Sequence, residues 1–126
     1  MKNAIIALCI FVIMIIGIFI STNAINRSCN HLQDLNSQLE NYILKENYED
    51  AYDLSLTYIK EWKKASKFLT IYIHHEDLNY LDSEILKLTQ YTKIKDKSEG
   101  LATVHVMIYL IDKIMYHEKV SISNVF

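Results

Sequence analysis

The sequence predicts an all-α protein in which an N-terminal transmembrane helix precedes an extracytoplasmic antiparallel bundle of about four helices. Three observations carry this. The stretch Ala4 to Ile20, AIIALCIFVIMIIGIFI, has no charged residue and nothing more polar than Cys9. Pro is absent and Gly17 and Gly100 are the only glycines, so tight β-turns lack their usual residues. Beyond the apolar run, apolar side chains recur at helical spacing through most of the chain.

A helix over Ala4 to Ile20 is roughly 25 Å long, close to the hydrocarbon thickness, and Ser21 to Ile25 extend it into the interface. The same run also fits a cleavable signal peptide, with Lys2 as its charged start and Thr22-Asn23-Ala24 as a cleavage site. Its length exceeds the usual h-region, which favours an uncleaved anchor. Residues 1–24 are therefore read as the anchor and 25–126 as the helical domain. Lys2 precedes the run, and Arg27 is outweighed by Asp34 and Glu40 after it. The positive-inside rule then keeps the N-terminus cytoplasmic and the domain outside a cell membrane crossed once.

Setting Lys2 aside from the 13 basic residues leaves about 12 against 15 acidic ones, and no basic block points to nucleic acid. Cys9 falls within the anchor, so Cys29 has no partner for a disulfide inside the domain. Beside the membrane surface, Cys29 is instead a candidate for joining two copies of the chain. The alternative is a small buried residue on a helix stripe.

Four exported helices are expected, near residues 28–45, 48–73, 77–94 and 97–118. Ile25, Cys29, Leu32, Leu35, Leu39, Tyr42 and Ile43 form the first stripe, which either continues the anchor or starts afresh at Asn30. Asn47, followed by Glu49 and Asp50, suits an N-cap. Tyr48, Tyr52, Ser55, Ile59, Trp62, Ser66, Leu69 and Ile73 then form a heptad seam. A second series, Ile71, His74, Leu78, Leu81, Ile85 and Leu88, lies about 200° away, which requires a turn at His74 to Asp77. Asp96 and Glu99 make a capping-box pattern before the apolar stripe Leu101, Val104, Ile108, Ile111 and Met115. Leu32, Leu35, Leu39 and Tyr42 share their spacing with Leu78, Leu81, Ile85 and Leu88, a hint of two related hairpins that falls short of a repeat.

Trp62 in its Lys-rich helix, the Ile71 to Asp77 step, the Asp96 to Glu99 helix start, and Glu118 followed by Ser121 to Phe126 resemble the family of the domain of unknown function numbered 4363, of spore-forming Gram-positive bacteria. The resemblance spans nearly the whole chain, through scattered landmarks. It implies a membrane-associated helical protein, with a link to sporulation and no activity to carry over.

Motifs for chemistry are scarce. No His-Glu-x-x-His run is present, and no histidine has a glutamate three residues before it, so thermolysin-like zinc and carboxylate-bridged di-iron sites are excluded. His74, His75, Glu76 and Asp77 are the densest set of metal-ligand types, with His117 able to approach them. Adjacent histidines diverge by about 100° on a helix, so helix-end capping is the plainer reading. Trp62 invites stacking on a partner or a sugar ring, but its place on the seam favours burial. Lys60, Lys63, Lys64 and Lys67 read as a solvated face or a contact for headgroups, with Glu61 in their midst. The expectation is a non-enzymatic interaction or accessory module without a cofactor, acting at the outer face of the membrane on an envelope protein. The alternative is an extracytoplasmic domain for a small ligand or metal.

Overall fold

The computed structural model describes residues 1–125, apart from the side chains of Glu118 and residues 120–125. They form α1 (Lys2–Leu44), α2 (Tyr48–Leu69), α3 (His75–Lys93) and α4 (Lys97–Val125), with no strand among the described residues. Short connections make successive helices antiparallel, and α4 closes on α1, so each helix packs against two neighbours in an up-and-down ring.

The apolar run and the first bundle helix are one element. α1 is roughly 65 Å long at about 1.5 Å per residue, and it passes residues 24 and 25 without a break. No residue from Ser21 to Leu32 carries a strong helix-breaking tendency, so continuity satisfies every backbone group that a fresh start at Asn30 would expose. The stretch long and apolar enough to cross a membrane has none of its residues buried in the structure. Ile25, five positions after Ile20, is already fully buried.

Two of the three turns share one geometry. The N–H of Asn47 donates to the Tyr42 carbonyl at 2.8 Å and that of Asp96 to the Tyr91 carbonyl at 2.9 Å. Glu46 and Lys95 adopt φ of 58° and 61°, the left-handed residue of a Schellman ending. Asn47 Oδ1 then accepts from the Asp50 N–H, and Asp96 Oδ1 from the Glu99 N–H, as the capping patterns predict.

The likeness extends through both hairpins at an offset of 49 residues, the separation of Glu46 from Lys95. Adding 49 to buried Cys29, Leu32, Leu35, Asn36, Leu39 and Ile43 gives Leu78, Leu81, Glu84, Ile85, Leu88 and Thr92, all buried. The same step takes Ala51, Ser55, Tyr58, Trp62 and Ala65 to Gly100, Val104, Met107, Ile111 and Ile114, again all buried. The two hairpins thus share a turn geometry and a burial register, broken at the proximal end where buried Ile25 corresponds to exposed His74, and this register is not the one that pairs Leu32 with Leu78. Glu84 and Thr92 stand where the first hairpin has Leu35 and Ile43, and that polar drift hides the repeat from an apolar pattern.

Several boundaries differ from the sequence reading. α2 ends at Leu69, four residues early, and α3 begins at His75. The α2 core face is Ala51, Ser55, Tyr58, Trp62, Ala65 and Leu69, rotated by roughly 50° at 100° per residue from the Tyr48 to Ile73 seam. Tyr48, Tyr52, Ile59, Ser66 and Ile73 are only half-buried. The two alanines allow close approach of the neighbouring helices, and an apolar stripe chosen by side-chain size passes over them.

Candidate functional site

The bundle has a proximal end, beside the apolar segment, and a distal end at the two Schellman turns. The proximal end collects the features that are not spent on folding. Here α1 leaves the apolar run, and the α2–α3 turn, Thr70 to His74, lies against it through a 2.9 Å hydrogen bond between Ser21 Oγ and Tyr72 Oη. Tyr72 also packs on Phe68, with ring centroids 5.4 Å apart. Ile71 is 72% exposed and Tyr72 45% exposed. This corrects the second apolar series, in which Ile71 and His74 were expected on the buried face. Leu78, Leu81, Ile85 and Leu88 are buried as expected.

A cleft of about 330 Å³ opens between α1 and α2 just above this turn, lined by Ala24, Ser28, His31, Leu32, Glu61, Lys64, Ala65 and Phe68. It exists because Ala24, Ser28 and Ala65 are too small to fill the space between the helices. Its polar wall is self-paired: Glu61 lies 3.6 Å from His31 Nε2 and 3.7 Å from Lys64 Nζ. Lys60, Lys63, Lys64 and Lys67 are all exposed, on the side of α2 opposite Trp62 and Leu69.

The predicted metal-ligand types do not assemble. Among the described residues no group of three or more His, Cys, Asp or Glu could hold an ion. Asp77 instead pairs with Lys113 Nζ at 3.0 Å across the α3–α4 interface, which raises the lysine pKa through that hydrogen bond and charge. His74, His75, Glu76 and His117 are exposed, and the side chain of Glu118 lies outside the described residues. Glu76 and Asp77 sit in the first turn of α3, where the helix dipole favours acids.

Of the residues considered for an interface, Cys29 and Trp62 lie in the core, whereas Lys60, Lys63, Lys64 and Lys67 are exposed. Trp62 is 2% exposed, and its indole N–H donates to Asp82 Oδ1 on α3, which removes it as a stacking platform. Cys29 is fully buried, because the α1 stripe turns it inward toward α2, so it presents no thiol to a second copy. Folding has claimed both.

One polar layer inside the bundle escaped sequence reading. Asn36 donates to Gln33 Oε1 at 2.9 Å, and Gln33 Nε2 donates to the Ile108 carbonyl at 3.0 Å and to Asp112 Oδ1 at 2.9 Å, tying α1 to α4. Tyr58, fully buried beside Asn36, has a hydroxyl without a hydrogen-bond partner among the described residues, as does Asn36 Oδ1. Burial pushes the Tyr58 phenol well above its ordinary value, and the adjacent Asn36 amide offsets part of that. An amide and a phenol spaced for the core face were the only sequence signals of this layer.

These features define a helical-bundle protein whose first helix is drawn out into an exposed apolar segment, with no group of three or more His, Cys, Asp or Glu placed to hold an ion among the described residues. The chain belongs to the family described as Domain of unknown function (DUF4363), whose model matches residues 19–125. No curated protein and no solved structure matches it.

Proposed function

We propose that the protein is a single-pass, membrane-anchored accessory module whose bundle stands outside the cytoplasm and holds or positions another envelope protein. One observation carries the reading: α1 runs from the apolar segment into the bundle core without a linker, with Ile25 fully buried. A module so joined is fixed in height and orientation above the bilayer, and anchoring raises its effective concentration for membrane partners. The charge asymmetry about the apolar run supports the outward orientation. The family resemblance is the basis for a link to sporulation.

The outer face of α4 supports contact with a partner, since Tyr109 and Tyr116 stand 65% and 66% exposed two helical turns apart. Exposed tyrosines are common anchors of interfaces. The α1–α2 cleft favours small-ligand binding as the second reading, although its charged groups already neutralise one another. A photo-crosslinking amino acid at Tyr109, in the full chain in host membranes, tests the first reading. A discrete adduct with one envelope protein, lost when the crosslinker is moved to buried Leu88, is expected. Absence of any adduct from Tyr109 or Tyr116 would refute partner binding through this face.

A further inference from the structure

We infer that the α2–α3 turn is a second membrane contact, in which Ile71 and Tyr72 enter the headgroup region of an anionic bilayer beside the anchor. The inference rests on the membrane-anchor reading given above. Its geometric basis is the hydrogen bond between Tyr72 Oη and Ser21 Oγ. Ser21 directly follows the last residue of the apolar run, so whatever depth α1 adopts, the turn adopts with it. A bilayer that covers Ile20 therefore meets Tyr72.

The chemistry of the turn fits that depth. Ile71 is exposed over most of its surface. Tyr72 keeps its ring against Phe68 and its hydroxyl on a polar partner, the division that places tyrosine at membrane interfaces. Above the turn, Lys60, Lys63 and Lys67 are exposed along the outer face of α2, which descends toward the turn. Glu61 is held by His31 and Lys64, and Asp77 by Lys113, leaving these three lysines in surplus over exposed Glu76 and Asp82. An apolar tip with an amphipathic ring and a cationic collar is the arrangement by which peripheral surfaces seat on anionic lipid. The distal end also exposes Leu44 and Ile94, but they lie at the far end of a bundle helix of about 20 residues, roughly 30 Å away. They serve as the internal control.

The test uses the full chain in vesicles of phosphatidylcholine and phosphatidylglycerol. An environment-sensitive fluorophore is attached at Ile71→Cys, Lys45→Cys or Val12→Cys in a Cys9→Ser background, where buried Cys29 takes no label in the folded protein. Lipids with a nitroxide just below the headgroup should quench the label at 71 several-fold more than the label at 45, and deep nitroxides should quench the label at 12. Quenching at 71 should fall when phosphatidylglycerol is omitted.

If the label at 12 is quenched but that at 71 behaves like that at 45, the turn does not touch lipid and the inference fails while the anchor stands. Protection of the label at 71 from both lipid nitroxide and aqueous iodide would mean that protein covers the turn, which also overturns it. No quenching at 12 removes the anchor and this inference with it. Equal quenching at 71 in both lipid compositions would overturn the part assigned to the lysines.

Discussion

Replacing Trp62 by alanine should remove roughly a fifth or more of the stability of the bundle. The side chain is 2% exposed and spans α2 and α3, with its N–H on Asp82. An aromatic side chain buries about 150–250 Å², which at roughly 25 cal/mol per Å² corresponds to about 4–6 kcal/mol. Residual burial in the unfolded chain lowers this to roughly 3–5 kcal/mol, the range seen when large aromatic core residues are cut to alanine. Native domains have about 5–15 kcal/mol in all. Trp62→Phe keeps most of the ring and loses the bond to an exposed carboxylate, so a cost of about 1–2 kcal/mol is expected. The assay is urea unfolding of the full chain in non-ionic micelles, followed by far-ultraviolet circular dichroism. The apolar half of α1 stays helical in the micelle, so the transition reports the bundle. A loss below about 1 kcal/mol for Trp62→Ala would refute the placement of this ring in the core.

Tyr58→Phe should stabilise by about 1 kcal/mol, since it removes a buried hydroxyl that makes no well-formed hydrogen bond among the described residues, and a lower urea midpoint would show instead that the neighbouring Asn36 amide holds it. Because the Tyr58 pKa is raised on folding, its neutral form contributes stability below the ordinary value of 10.0 that is lost as pH rises above it. The advantage of Tyr58→Phe over wild type should therefore widen by about 1.4 kcal/mol per pH unit above that point, and an unchanged gap in alkaline melts would argue against the buried phenol. Gly100→Ala should gain about 0.5–1 kcal/mol of helix stability. Its new Cβ would meet Ile43 Cδ1 at 3.5 Å, an ordinary contact, so a drop in thermal midpoint would show that α1 and α4 pack more tightly than they do here. Glu46→Gly and Lys95→Gly should each raise the midpoint by relieving a left-handed residue worth about 1 kcal/mol. A loss at either site would mean that the turn is not a Schellman ending.

By itself, the sequence determined what local chemistry controls. An uninterrupted apolar run, the scarcity of Pro and Gly, and the helical period force helices, and Asn47 and Asp96 mark two of their starts because a side-chain oxygen three residues before an open N–H needs no tertiary help. The core residues of α1, Leu78 to Leu88 on α3, and Trp62 were legible for the same reason: size and spacing predict which face is driven from water. Only the tertiary structure decided how the faces meet. Ala51 and Ala65 rotate the α2 seam toward Tyr58 because close helix approach rewards small side chains, which no hydropathy pattern ranks. The 49-residue relation between hairpins emerges from matching turn dihedrals and burial, since Glu84 and Thr92 had erased it from the apolar pattern. Cys29 was placed inward by the packing of α1 on α2. The exposed tip at Ile71 and Tyr72 was invisible because a residue in a turn has no period to reveal its face; its position follows from the contact between Tyr72 and Ser21, residues far apart in the chain and adjacent only after the bundle closes.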